Sequence, residues 1–129
     1  MIFSLAIYAS PSTQASDSAY HFARTLLAQG HTLYRVCFYH DAVHLSSKLN
    51  TPPQDESHVT ERWQALASEH SLDLVVCIAA GLRRGILNEK EADRYNKNHH
   101  NLAAPFELSG LGQLVDAAVH SDRLMTFGH

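Results

Sequence analysis

Cysteine is the strongest nucleophile the sequence offers, and it occurs twice, at Cys37 and Cys77. Cys77 stands near the carboxyl end of an apolar run, and the small-residue turn Ala79-Ala80-Gly81 follows it. In open α/β sheets, reactive groups gather where strands end and helix N-termini point. Backbone N–H groups at such a turn, with Arg83 and Arg84 one to two turns later, would favour thiolate over thiol. A thiolate so placed can attack a sulfur atom and carry it as a persulfide. A bland alternative is equally physical, because a strand cysteine often serves as a small buried hydrophobe. Residue type and position alone leave both open for Cys77.

Cys37 lies mid-strand between Val36 and Phe38 with no glycine turn behind it, so packing is its favoured role. The turn Ser10-Pro11-Ser12-Thr13 follows the first strand but carries neither GxGxxG nor GxxxxGK[ST], which argues against dinucleotide and P-loop sites. No GxSxG nucleophile elbow occurs. The ten histidines offer weak pairs: His40 and His44 at i, i+4, and the adjacent His99 and His100. A metal site needs convergent Asp, Glu or Cys ligands, and only Asp41 is near, so solvated surface histidines are expected. No metal and no cofactor is expected.

The elements that must position Cys77 follow from the pattern. Ile2 to Ala9 reads as a strand, Thr13 to Gln29 as an amphipathic helix ended by Gly30, and Thr32 to Tyr39 as a second strand. A short helical turn is expected within His40 to Leu49, before the breaker Asn50-Thr51-Pro52-Pro53. Ser57 to His70 reads as a helix capped by Ser57, and Leu72 to Ala79 as a central strand with a helical turn starting at Gly81. Asn88 to Tyr95 reads as a polar, exposed helix and Asn96 to Asn101 as loop. Phe106 to Leu108 is a short strand, and Ser109 caps a helix from Gly110 to His120 with Leu111, Leu114, Val115 and Ala118 inward. Arg123 to Phe127 closes as the final strand. This alternation predicts an α/β three-layer sandwich around a mostly parallel sheet of about five strands.

A length of 129 residues is the size of a single domain, 1–129, with a core that needs no staples. Apolar content of 45% and a net charge of −3 exclude disorder. Ten Lys and Arg against thirteen Asp and Glu leave no basic excess for a phosphate backbone, so direct nucleic-acid binding is not expected. The longest apolar run, Leu74 to Ala80, is too short to span a bilayer, and the N-terminus has no basic n-region of a signal peptide. These features predict a cytoplasmic protein with free thiols.

The segment Leu74-Val-Val-Cys-Ile-Ala-Ala-Gly-Leu-Arg-Arg-Gly-Ile86 closely resembles the strand–cysteine–helix signature of the TusD branch of the DsrE/DsrF-like sulfurtransferase family. Further matches are Ser18-Ala-Tyr-His-Phe-Ala23, Gly30-His31, Phe38-Tyr39, Ala92-Asp93-Arg94 and Phe106-Glu-Leu-Ser-Gly-Leu-Gly-Gln-Leu114. The resemblance implies that Cys77 is catalytic. It would accept sulfane sulfur as a persulfide from a TusA-like donor and pass it to a TusE-like acceptor, on the way to 2-thiolation of the tRNA wobble uridine. It also implies a heterohexamer with TusB- and TusC-like subunits. Cys37 falls where the family has an aromatic or aliphatic strand residue, and 96–105 and 126–129 match no family pattern. A DsrE-type carrier in sulfur oxidation and a non-catalytic assembly subunit of the same fold stand as alternatives. A flavodoxin-like cofactor binder lacks its phosphate loop.

Overall fold

Branched and aromatic residues dominate four of the five extended segments, Glu107-Leu-Ser109 being the exception. The computed structural model describes residues 1–128. Its elements run β1 (Ile2–Ile7), α1 (Gln14–Ala28), β2 (Thr32–Phe38), a 3-10 helix (His40–Ser46), α2 (Val59–His70), β3 (Leu74–Cys77), α3 (Ile78–Arg83), α4 (Glu89–Arg94), β4 (Glu107–Ser109), α5 (Gly112–His120) and β5 (Arg123–Phe127). The strands form one sheet in the order β4-β3-β2-β1-β5, and every pairing is parallel. The predicted α/β architecture is the one observed.

Strand order decides which helices share a face. From β1 to β4 the chain steps in one direction, and only the last crossover returns, from β4 to β5 beyond β1. Right-handed crossovers put helices of the forward steps on one face and the helix of the return step on the other. α1 and α2 therefore pack together, and α5 lies alone on the opposite side. Between the sheet and α1 and α2 sits the main core, where Leu5, Ile7, Val36, Phe38, Leu74 and Val76 meet Trp63. The Trp63 ring stands edge-on to Phe38 and Tyr20, at 5.3 and 5.4 Å between centroids.

Local chemistry sets the helix ends. Thr13 caps α1 by accepting from the Ser16 N–H at 3.3 Å. Gly30, at φ +85°, lets the chain reverse so that the His31 N–H reaches the Leu26 carbonyl at 3.0 Å. The expected Ser57 cap of α2 is not used: its hydroxyl accepts from Arg62 Nη1 at 2.8 Å, and the His58 ring accepts from the Glu61 N–H. In α4, Glu91 and Ala92 are buried, so that helix is not exposed throughout.

Two boundaries differ from the sequence reading in ways that matter for the site. The central strand stops at Cys77, and α3 starts at Ile78 instead of Gly81. An apolar run reads alike as buried strand or buried helix, and the alanines at 79 and 80 favour the helix. The last helix starts at Gly112, because Ser109 belongs to β4.

Exposure around α5 also differs, at three of the four residues expected inward. Leu111, Val115 and Val119 are 62, 63 and 73% exposed, and Ala118 is exposed too, whereas Ala117 is buried and Leu114 is half-buried. The sheet beneath α5 explains this, since it presents polar groups, Ser4 and Arg35. Gln113, Asp116 and His120 form the matching polar stripe on α5. Arg35 donates to Asp116 Oδ2 at 2.7 Å and to the Gln113 carbonyl at 3.0 Å. Just beyond the helix, the Ser4 and Ser121 hydroxyls bond at 2.7 Å. Polar groups meeting there turn the apolar stripe outward.

Candidate functional site

Side chains alternate along β3, so Leu74 and Val76 enter the main core while Val75 and Cys77 line the crevice on the other face, with Cys77, at the strand end, also touching the core. In the β2–β3 register Cys37 sits opposite Val75 and Phe38 opposite Val76, so Cys37 shares the face of Cys77. Cys77 is the last residue of β3 and directly precedes α3, with its side chain half-buried. It opens into a crevice of about 10 Å³ bounded by Cys37, Tyr39, Val75, Gly110, Gln113 and Leu114. The crevice thus lies between the carboxyl ends of β2 and β3 and the start of α5.

Burial sorts the ionisable groups of this crevice. It pushes the Cys37 thiol up to about 11. It likewise raises Tyr39, with Tyr8 and Cys37 adding to the shift. Both walls are therefore neutral at physiological pH. Cys37 is 5% exposed and packs as the sequence predicts for a mid-strand cysteine. Cys77 is the more accessible thiol of the two.

Neither arginine of the Arg83-Arg84 pair enters the crevice. Arg84 Nε donates to Asp41 Oδ1 at 3.0 Å, and its Nη1 donates to the Ala80 carbonyl at 3.0 Å. That hydrogen bond from Arg84 holds the Asp41 carboxyl below the usual carboxylate range. The pair fixes α3, and hence the backbone turn at Cys77, against the 3-10 helix. Arg83 is exposed.

Of the residues that roof Cys77, the sequence reading places Leu114 inward but gives none of them a part in the site. Gly110, Gln113 and Leu114 come from the β4–α5 connection and α5, whose seat is the Arg35–Asp116 contact. Arg35 also donates through Nε to Asp73 Oδ2 at 2.7 Å. One signal was available: an arginine inside the apolar stretch Thr32 to Tyr39 demands a carboxylate partner, because a buried cation is costly alone.

The histidines do not converge. His40 and His44 lie on a 3-10 helix, where residues four apart do not share a side. His99 and His100 are exposed beside a separate cleft of about 580 Å³ with Lys48 and Leu87. Among the described residues, no group of three or more His, Cys, Asp or Glu could hold a metal ion. No helix among them is long and apolar enough to cross a membrane.

Known proteins resemble this chain along nearly its whole length. The model of the DsrE/DsrF-like family matches residues 1–127. The chain belongs to that family. It is 53% identical over 129 residues to the DsrE protein of Allochromatium vinosum, covering 99% of both chains. It is 47% identical over 128 residues to a sulfurtransferase TusD homolog of Pseudomonas aeruginosa, covering 99% of this chain and 98% of that one. The sulfurtransferase TusD of Photorhabdus laumondii is 43% identical over 115 residues, with 89 and 88% covered. The crystal structure of the E. coli YchN protein superposes with a TM-score of 0.72 at 16% identity, over 98% of this chain and 97% of that one, and shares the fold.

Proposed function

We propose that this DsrE/DsrF-like chain is a sulfurtransferase subunit that carries sulfur on Cys77. The observation that carries the reading is the half-buried Cys77 thiol at the carboxyl end of β3, open to a crevice whose other ionisable walls are held neutral. The names of its relatives support the same chemistry. In the first step the Cys77 thiolate attacks the outer sulfur of a donor persulfide, the donor S–S bond breaks, and the donor leaves as thiolate. In the second, an acceptor thiolate attacks the outer sulfur on Cys77 and releases the Cys77 thiolate. No net oxidant is consumed.

In the finer reading, a TusA-like protein is the donor and a TusE-like protein the acceptor, and the sulfur ends at position 2 of the tRNA wobble uridine. The chain acts in the cytoplasm beside TusB- and TusC-like subunits and does not itself bind RNA, consistent with a net charge of −3. The exposed stripe Leu111, Val115 and Val119 supports docking of neighbouring subunits. A second reading, a DsrE-type carrier in sulfur oxidation, is favoured by the 53% identity to the Allochromatium vinosum protein. Both readings use the same cysteine and differ in donor and acceptor. A non-catalytic assembly role is disfavoured because Cys77 keeps its place in the crevice.

Intact-mass and peptide spectrometry after incubation with a persulfide donor tests the reading. One added sulfur on the Cys77 peptide, and none gained by Cys77→Ser, is the expected result. Sulfur gained equally by Cys77→Ser would refute it. Supplying purified TusE-like acceptor or a sulfur-oxidation carrier then separates the two readings by which one unloads the protein.

A further inference from the structure

The sulfur-transfer reading leaves Cys37 without a role, yet Cys37 forms a wall of the crevice into which Cys77 opens. Its Cα partner on β3 is Val75, which places Cys77 two residues further along on the same face. Strand spacing and rise put the two cysteine Cα atoms roughly 8 Å apart. That lies outside the ~7 Å within which a direct disulfide forms without backbone movement. A terminal sulfur on Cys77 reaches about 2 Å further, which brings it toward the Cys37 thiol for a hydrogen bond and not for a bridge. The void is about 10 Å³, room for roughly one small atom or water.

We propose that this crevice is a one-atom sulfur pocket: it seats the terminal sulfur of a Cys77 persulfide, and the Cys37 thiol donates its S–H to that sulfur. The inference rests on Cys77 being the sulfur-accepting residue. Loading moves one sulfur from the donor to Cys77, breaking the donor S–S bond and releasing a thiolate. The new perthiol loses its proton to water, and its terminal anion is the group that Cys37 holds. Cys37 forms no covalent bond. Burial pushes its thiol up to about 11, so at neutral pH it keeps the proton it donates and does not compete as a nucleophile. Val75 and Leu114 flank this one-atom void, so a second sulfur would have to extend beyond it. Cys37 is thus a positioning residue that favours a single sulfur over a polysulfide chain.

The test loads wild type, Cys37→Ser, Cys37→Ala and Cys37→Val with glutathione persulfide, removes the donor, and follows intact mass during release by dithiothreitol. Wild type and Cys37→Ser, which retains a hydroxyl donor, should carry one extra sulfur and release it slowly. Cys37→Ala and Cys37→Val should release it about tenfold faster, the worth of roughly one hydrogen bond to a charged group. Cys37→Ala, by opening the pocket, should also show species with two or more added sulfurs. Equal release from wild type and Cys37→Val overturns the proposal, as does Cys37→Ser releasing as fast as Cys37→Val. Should Cys37→Ala not fold, the Ser and Val pair decides alone. Wild type that takes up no sulfur refutes the Cys77 reading and this inference together, whereas normal uptake with equal release refutes this inference only.

Discussion

Arg35 Nη1 donates to Asp116 Oδ2 at 2.7 Å, and this bond joins β2 to the helix that roofs Cys77. The same guanidinium donates to Asp73 just before β3, so one cation, its side chain 12% exposed, holds β2, β3 and α5 in register. Arg35→Ala would leave two carboxylates facing each other without it. Because Asp73 and Asp116 remain partly wetted, the cost falls below that of a fully buried pair, at about 2 kcal/mol. A lower denaturant midpoint is expected, together with faster alkylation of Cys77 as α5 loosens. Arg35→Lys should recover only part of this, because an ammonium cannot fork between partners. Wild-type stability and alkylation in Arg35→Ala would contradict the assignment.

The same contact gives a pH dependence. The Tyr34 hydroxyl donates to Asp116 at 2.8 Å, and that bond, followed by the one from Arg35, holds the Asp116 carboxyl below its ordinary range. His120, stacked on Tyr34 and paired with Asp116 at 3.0 Å, acts in the same direction. A carboxyl depressed in the folded state stabilises the fold fully above its unfolded value near about 3.9, and loses that effect as pH falls through the folded pKa. The stability difference between wild type and Asp116→Asn should therefore be constant above about pH 5 and shrink below about pH 4. Equilibrium unfolding at several pH values measures it. A difference that grows with acid would be inconsistent with the network.

What the sequence disclosed and what it hid divide along one line. Runs such as Ile2 to Ile7 and Thr32 to Phe38 declare strands because they are buried on both sides and bounded by turn residues. The place of Cys77 at a strand end followed equally from its neighbours. The junction after it was misplaced because Ile78, Ala79 and Ala80 are as apolar as the strand they follow. The exposure of Leu111, Val115 and Ala118 escapes the sequence for a different reason. The seat of α5 is set by Arg35 and Ser4, far away in sequence, and helical periodicity cannot report that the sheet underneath carries them. Leu114 reads as inward from the sequence, but that it roofs the crevice with Gly110 and Gln113 does not.

Burial of Cys37 has its own kinetic signature. With Cys77 replaced by serine, the remaining thiol is pushed up to about 11 by desolvation and is 5% exposed. Iodoacetamide should modify this variant slowly at pH 7 to 9, with the rate still rising above pH 10. Denaturant should restore the rate of an ordinary thiol near about 8.5. A native rate profile centred near that ordinary value would show that Cys37 is not held as the structure places it.

The outward face of α5 gives a prediction about assembly that spares the fold. Val115 and Val119 are 63 and 73% exposed and one turn apart, continuing the line of Leu111 past the mouth of the Cys77 crevice. A charge there removes little buried area from the isolated chain, so Val115→Glu and Val119→Glu should each change stability by less than about 0.5 kcal/mol. A neighbouring subunit seated on this stripe would have to bury the new carboxylate without a partner, which is costly. Co-expression with TusB- and TusC-like subunits followed by sizing should give a hetero-oligomer for wild type. The same experiment should return a free, folded chain for the double variant. Assembly of the double variant at wild-type yield would place the subunit interface on another face. Loss of folding in the isolated variant would instead mean that these valines are buried within the chain itself.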